Sequence, residues 1–142
     1  MDFQKNGNLL TGIHTLTIEE FENLFGYNEH RKMLIQGLKL GIKELQLCGC
    51  QEIYIDGSFV TEKEIPGDFD ACWEENGMDI DKLIREFPTL VDFDNERERQ
   101  KTVYSGEFFP ARGGASPYDL YIDFFQSDKD GNAKGIIKIL LK

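Results

Sequence analysis

The chain has 142 residues, with 16 Lys and Arg against 26 Asp and Glu, and its formal net charge is -10 at pH 7. Hydrophobic residues make up 40% of the sequence, which is enough for the core of one folded domain and excludes general disorder. The acidic balance excludes non-specific binding to nucleic acid, because such binding needs basic side chains that displace counterions. Attraction to anionic membranes is excluded for the same electrostatic reason.

The sequence predicts a cytoplasmic protein with no membrane association. No apolar run approaches the ~20 residues of a membrane span, and residues 1–6 lack the basic and apolar segments of a secretory signal. The three cysteines are an odd number, which fits a reducing compartment. We expect a single domain over residues 1–142, with a helical part over 1–50 and a sheet-bearing part over 51–142.

The first elements in chain order are predicted to be helices. Thr17 and Glu20 have the spacing of a capping box, which predicts a short helix that ends near Gly26. Asn28 can cap a second helix, whose apolar residues recur at helical spacing as far as about Leu47.

The rest of the chain mixes strands and helices. A buried strand is predicted over 52–56, and a second strand over 68–73, where carboxylate and apolar residues alternate. Further along we expect helices over 80–87 and 95–104, a glycine-rich loop over 110–117, and strands over 118–125 and 135–141. The predicted fold class is α+β, a small mixed β-sheet with helices packed on one side.

Asp68 and Asp70 form the most chemically suggestive pair in the chain. Side chains two residues apart on a strand share a face and lie roughly 6.5 Å apart. Two carboxylates this close repel each other unless a cation lies between them. Hard cations such as Mg²⁺ or Mn²⁺ prefer oxygen ligands and accept phosphate oxygens as partners. The pair therefore predicts a metal site suited to phosphoryl transfer.

A third carboxylate on a neighbouring strand would complete such a site. Asp123 is the candidate, because it would face away from an apolar core on the strand predicted over 118–125. It would act as a metal ligand or as the general base for an attacking hydroxyl. Asp119 has the same parity and ranks second. For all these acids, the alternative is a solvated strand face.

Gly57 and Ser58 follow the first predicted strand and can bind phosphate. Glycine lets the backbone approach a phosphate closely, and the amides and the hydroxyl can donate to phosphate oxygens. An ordinary strand-ending turn is the alternative. Arg112 and Lys134 could neutralise a triphosphate, although as isolated basic residues in loops we expect them to be exposed.

Cys48, Cys50 and Cys72 do not have the spacing of a zinc site, and buried thiols are the better interpretation. His14 and His30 lie in N-terminal segments, where structural roles are more common than catalysis.

The arrangement resembles the nucleotidyltransferase superfamily, whose pattern is Gly-Ser, a loop, Asp-x-Asp and a third acid on a later strand. Here the loop spans residues 59–67. The wider sequence is similar to a family of short bacterial nucleotidyltransferase-like proteins. The stretches that carry this similarity are Gly12-Ile13-His14, Glu20-Phe21, Phe25-Gly26, His30-Arg31, Asp56-Gly57-Ser58-Phe59-Val60-Thr61, Pro66-Gly67-Asp68-Phe69-Asp70, Gly106-Glu107-Phe108-Phe109-Pro110, Phe124-Phe125-Gln126, Asp130-Gly131-Asn132 and Lys134-Gly135-Ile136.

The resemblance implies a nucleotidyltransferase-like fold and two hypotheses for function. In the first, the protein is an enzyme that transfers a nucleoside monophosphate from a nucleoside triphosphate to a hydroxyl of a protein, an RNA or a small molecule. Many superfamily members carry an Arg-Gly pair soon after Gly-Ser. No Arg follows here, and Lys63 would take its place as a phosphate partner.

In the second hypothesis, the fold has lost catalysis and binds a partner in trans, for example as an antitoxin or a component of a defence system. The missing Arg and the net charge favour this alternative, because an acidic surface suits a basic protein partner.

Overall fold

The computed structural model describes residues 2–115, 120–128 and 130–141. The helices are α1 (Ile18–Phe25), α2 (Glu29–Leu47), α3 (Ile80–Glu86), α4 (Asp94–Tyr104) and α5 (Tyr121–Phe124). The strands are β1 (Ile13–Leu16), β2 (Glu52–Asp56), β3 (Phe69–Trp73), β4 (Gly106–Pro110) and β5 (Ile136–Leu140). Two short 3₁₀ turns lie at Ser58–Val60 and Pro88–Val91.

The five strands form one mixed sheet in the order β1-β5-β2-β3-β4. Strand β2 is central and antiparallel to both neighbours, whereas the two edge strands pair in parallel with β5 and β3. The mixed α+β sheet is confirmed. Both edge strands lie outside the predictions, and β1 brings residues from the part expected to be helical into the sheet.

The helix caps predicted at Thr17 and Asn28 are confirmed, and Asp79 caps α3. Thr17 and Glu20 satisfy each other's backbone amides in a capping box. The side chains of Asn28 and Asp79 accept from the backbone N–H groups of Arg31 and Lys82.

The strand predicted over 118–125 is wrong, because Tyr121–Phe124 form helix α5; residues 118 and 119 lie outside the described residues. Tyr121 and Phe125 both contact the Phe109 ring, with centroids 4.6 and 5.3 Å away. One helical turn places residues four apart on the same side, whereas a strand of this spacing would carry them too far apart to reach one ring. Packing on Phe109 therefore outweighs the alternating pattern.

The two faces of the sheet differ in character. The larger apolar core lies on the face covered by helices α1 to α4, and β2 contributes Ile53 and Ile55 to it. The opposite face carries a smaller cluster that includes Tyr54 and Phe109 and is covered by α5. The prediction that helices pack on one side of the sheet is therefore right for the four longer helices, α1 to α4, and wrong for α5. The smaller cluster leaves part of its face to polar residues.

The buried guanidinium of Arg31 in α2 holds the loop that follows β2. It donates to the carbonyl oxygens of Phe25 (3.2 Å), Phe59 (2.6 Å), Thr61 (3.1 Å) and Lys63 (2.5 Å). A planar guanidinium can reach several acceptors at once in a fixed geometry. The loop after Gly57 is therefore fixed against the N-terminal end of α2.

We expect Arg31→Met to lower the free energy of unfolding by about 3 kcal/mol or more, because it leaves several buried carbonyls without a donor. Urea denaturation followed by circular dichroism measures this loss. Lys32→Met is the matched control. The neighbouring Lys32 side chain is exposed, so its replacement should change the free energy of unfolding by less than about 0.5 kcal/mol. Equal stability of the two variants would contradict the role given to Arg31.

Candidate functional site

Three carboxylates form a row across adjacent strands on the sheet face that α5 partly covers. Asp56 on β2 is paired with Asp70 on β3, and Asp70 is paired with Glu107 on β4. Paired residues of neighbouring strands lie about 5 Å apart and point to the same face. We call Asp56, Asp70 and Glu107 the carboxylate row.

Asp70 and Glu107 are hydrogen-bonded to each other, and each shifts the pKa of the other. The pKa of Asp70 is raised well above its ordinary value, first by burial, then by the hydrogen bond and charge of Glu107 and by the charges of Asp68 and Asp56. Burial alone would also raise the pKa of Glu107. The hydrogen bond from Asp70 and the charge of Arg97 outweigh burial and lower it. The pair therefore favours the proton on Asp70 over Glu107.

Helix α4 supplies two cations to the same end of the row. Arg97 Nε lies 3.0 Å and Lys101 Nζ 3.3 Å from Glu107 Oε1. Asn95, Glu96 and Arg97 all have positive φ, at 53°, 57° and 62°. Left-handed backbone is unfavourable for such residues and is typical of sites where a side chain must be aimed. This turn brings Arg97 onto Glu107.

Asp56 at the other end of the row is paired with Lys134. The residue is 2% exposed, and its Oδ1 lies 3.3 Å from Lys134 Nζ. That oxygen is otherwise buried without a hydrogen-bond partner. Burial raises the pKa of Asp56 to about 6, although the charge of Lys134 acts in the opposite direction.

Gly57 sits directly against the middle of the row. Its φ is +86°, and a Cβ at this position would lie 2.5 Å from Asp70 Oδ2. Both facts favour glycine here, and the second brings its backbone next to the carboxylate. The chain then makes the 3₁₀ turn Ser58–Val60, in which Val60 N donates to Gly57 O at 3.3 Å. The side chain of Ser58 lies outside what the structure describes.

A cavity of about 930 Å³ opens over this part of the sheet. It is large enough for a nucleotide-sized ligand. The sequence-predicted residues that line it are Gly57, Lys63, Asp70 and Asp123, and Asp56 and Lys134 join them. Asn6, Asn8, Phe124 and Asp128 contribute to the other walls.

The structure places the remaining predicted acids differently from expectation. Asp68 precedes β3, is half-buried and does not line the cavity; burial and the charge of Glu107 raise its pKa. Asp123 lines the cavity, but it is exposed on helix α5 and does not extend the row from a strand. The strand acid next to Asp70 is Glu107 instead.

No metal centre is preformed in the described ranges: they contain no group of three or more His, Cys, Asp or Glu side chains that could hold one ion. A hydrogen bond joins Asp70 to Glu107, and its proton would have to leave before both carboxylates could bind one cation. The oxygen donors are of the type that Mg²⁺ and Mn²⁺ prefer. The donor chemistry therefore fits such a cation once that proton is lost.

Sequence reasoning missed Asp56 and Glu107 and expected Lys134 to be exposed. Glu107 lies in the alternation Gly106-Glu107-Phe108-Phe109, which is a strand pattern that could have identified it. The side chain of Lys134 is only 13% exposed. Arg112 does not line the cavity and pairs with Glu74 at 2.9 Å.

Among the described residues the three cysteines are buried and the two histidine rings contact backbone carbonyls, that of His30 at Pro66. Cys48, Cys50 and Cys72 are buried free thiols, and burial raises the pKa of Cys50 to about 11. The ring of His14 contacts the Leu10 carbonyl at 2.7 Å. None of these cysteines and histidines lines the cavity.

No helix in the described ranges combines the length and apolar character needed to cross a lipid bilayer. No curated protein and no solved structure shows significant similarity to the chain. A family model described as "Family of unknown function (DUF6932)" matches residues 1–140, and the chain belongs to that family.

Proposed function

We propose that the protein binds a nucleoside triphosphate with Mg²⁺ or Mn²⁺ and transfers the nucleoside monophosphate to a hydroxyl of a protein, an RNA or a small molecule. The observation that carries the proposal is the carboxylate row beside Gly57: Asp56 and Asp70 line one cavity with Gly57, and Glu107 is paired with Asp70 on the next strand. Three acids of adjacent strands meet a glycine whose backbone a phosphate can approach. The resemblance to the nucleotidyltransferase superfamily supplies the reaction class.

In this proposal Asp70 and Glu107 hold the divalent cation, with Asp68, two residues before Asp70, as a further ligand. When bound, the cation neutralises phosphate charge and stabilises the leaving pyrophosphate. Asp70 must lose its proton to bind it, because a carboxylic acid is a poor ligand. The charges of Arg97 and Lys101 keep Glu107 ionised and fix its position.

The phosphates bind to the opposite side of the cavity floor. Backbone N–H groups of Gly57 and Ser58 are the proposed donors, and Lys63 adds a positive charge from the exposed side of the loop. Arg31 fixes the Lys63 carbonyl and thereby the backbone of this loop. Asp123 on α5 faces the same cavity and is the proposed base for the acceptor hydroxyl.

We expect at least one of the four common nucleoside triphosphates to bind wild-type protein in the presence of Mg²⁺. This binding should be lost in EDTA. Asp70→Asn should weaken the Mg²⁺-dependent binding at least about tenfold, because an amide cannot replace the ionised ligand. Calorimetric titration of the four common triphosphates measures this.

Glu52→Gln is the matched control for that titration. Glu52 lies on the same sheet face of β2 but outside the cavity lining, where it pairs with Lys138 at 3.2 Å. Its loss should leave nucleotide affinity unchanged. Absence of binding to the folded wild type, or equal binding by Asp70→Asn, would contradict the proposal.

Asp70→Asn should also stabilise the protein at neutral pH. When folding raises the pKa of a carboxyl, the unfolded chain loses that proton at a lower pH than the folded protein does. The free energy of unfolding therefore falls as the pH rises from about 4. We expect the variant to exceed wild type in unfolding free energy at pH 7.5. The difference should shrink toward pH 4, as urea denaturation at both pH values would reveal.

Glu74→Gln provides a control of opposite sign. The pKa of Glu74 is lowered because the hydrogen bonds and charge of Arg112 outweigh burial, so its ionised form stabilises the fold above about pH 4.5. This variant should be less stable than wild type at pH 7.5, with a smaller difference in acid. If Asp70→Asn changed the free energy of unfolding by the same amount at both pH values, the raised pKa of Asp70 would be contradicted.

A non-catalytic binding module is the second candidate, and one observation favours it. The cations Arg97, Lys101 and Lys134 already surround the row, and the proton on Asp70 compensates its centre. Such a site is balanced without a metal. Stable complex formation with a basic protein, unchanged in Asp70→Asn and without nucleotide binding, would support this function in place of transfer.

A further inference from the structure

Lys134 is a partly buried cation inside the proposed substrate cavity, with its side chain 13% exposed. Its backbone N–H donates to the Gln126 carbonyl at 2.9 Å just ahead of strand β5, which fixes where the side chain begins. Lys63 is the other basic residue among the described residues that line this cavity, and it is exposed. The two lysines therefore differ in role: one faces solvent and the other faces a carboxylate.

Asp56 is buried and forms an ion pair with Lys134 among the described residues. It ends strand β2, is 2% exposed, and receives its nearest positive charge from Lys134 Nζ at 3.3 Å. No hydrogen bond satisfies Oδ1 in this arrangement. The ammonium is carried on a flexible four-carbon stem, so it can leave Asp56 without any change in the backbone.

We infer that Lys134 and a divalent cation compete for Asp56, so that a metal–polyphosphate ligand binds by exchange of ion-pair partners. Asp56 passes from the ammonium to the cation, and Lys134 passes from Asp56 to the phosphate oxygens. The inference rests on the proposed function and adds to it a ligand, Asp56, and a positioning residue, Lys134.

The exchange has a physical reason. A bare cation that displaced Lys134 would leave a buried ammonium without an anion, and an unpaired buried charge is costly. A polyphosphate brings the anion together with the cation, so every charge stays paired before and after binding. Metal and polyphosphate should therefore bind with positive coupling, and that coupling should pass through Lys134.

The test compares two probes, Mn²⁺ alone and the preformed complex of Mn²⁺ with inorganic tripolyphosphate, by calorimetry at one ionic strength. We expect Lys134→Met to bind Mn²⁺ alone about tenfold more tightly than wild type. It should bind the Mn²⁺–tripolyphosphate complex about tenfold more weakly. Lys134→Arg, which keeps the charge, should resemble wild type with both probes.

Lys138→Met is the matched control. Lys138 projects from β5 on the same sheet face, pairs with Glu52 at 3.2 Å and does not line the cavity. It should bind both probes as wild type does. The double variant Asp56→Asn with Lys134→Met removes both members of the buried pair, so it folds without an unpaired charge even where Lys134→Met does not. The double variant should bind neither Mn²⁺ alone nor the complex more tightly than wild type.

Two outcomes separate this inference from the proposed function. If wild type binds the complex and Lys134→Met binds each of the two probes as tightly as wild type does, the exchange is wrong and the proposed function stands. Tighter binding of Mn²⁺ alone by the double variant would also overturn the exchange, because Asp56 would not be a ligand. If no protein binds either probe, the proposed function fails and the inference fails with it.

Discussion

Repulsion between carboxylates on adjacent strands is the constraint on which the rest of this structure depends. Strand pairing places Asp56, Asp70 and Glu107 side by side on one face. The backbone hydrogen bonds between the strands set their spacing, so the three residues cannot move apart. Their charge is compensated in three ways. A hydrogen bond joins Asp70, whose pKa is raised, to Glu107; two cations come from α4; and Lys134 reaches Asp56 from the segment before β5. Elements far apart in sequence are thereby held at one site.

The loop after β2 obeys a second constraint, because it must keep its backbone next to Asp70. Gly57 allows the close approach, and Arg31 fixes the following residues through their carbonyl oxygens. The guanidinium also lies over the rings of Tyr27 and Phe59, with its central carbon 4.6 and 4.8 Å from their centroids. Buried hydrogen bonds and cation–π contacts together offset the cost of burying this charge.

The two faces of the sheet differ in how much they contribute to stability. The face under α1 to α4 carries the larger apolar core, which supplies most of the burial that drives folding. The other face carries a small aromatic cluster around Phe109, and α5 packs on it through Tyr121 and Phe125. The polar end of that second face can therefore contain Asp70, with its raised pKa, and the Asp56–Lys134 ion pair. The core on the opposite face maintains the fold. Sites of this kind commonly sacrifice local stability for function.

The sequence by itself determined the local elements: the capped helices α1 to α3, the strands β2, β3 and β5, and the glycine that follows β2. Each depends on residues within a few positions, such as Thr17 with Glu20 or the alternation in β3, so near neighbours in the chain suffice to predict it. The sequence also placed Asp70 on a polar strand face and Gly57 at the strand end, and both lie together in the cavity.

Only the tertiary structure decided which acid stands next to Asp70. Asp123 has the expected parity, yet packing of Tyr121 and Phe125 on Phe109 turns that segment into a helix, and Glu107 on the edge strand takes the adjacent position. Likewise, nothing local to Lys134 or Asp56 shows that they meet across 78 positions in the chain at 3.3 Å. The physical reason is the same for both: strand register and ion pairing join residues through space, and a pattern confined to one segment does not contain its partner.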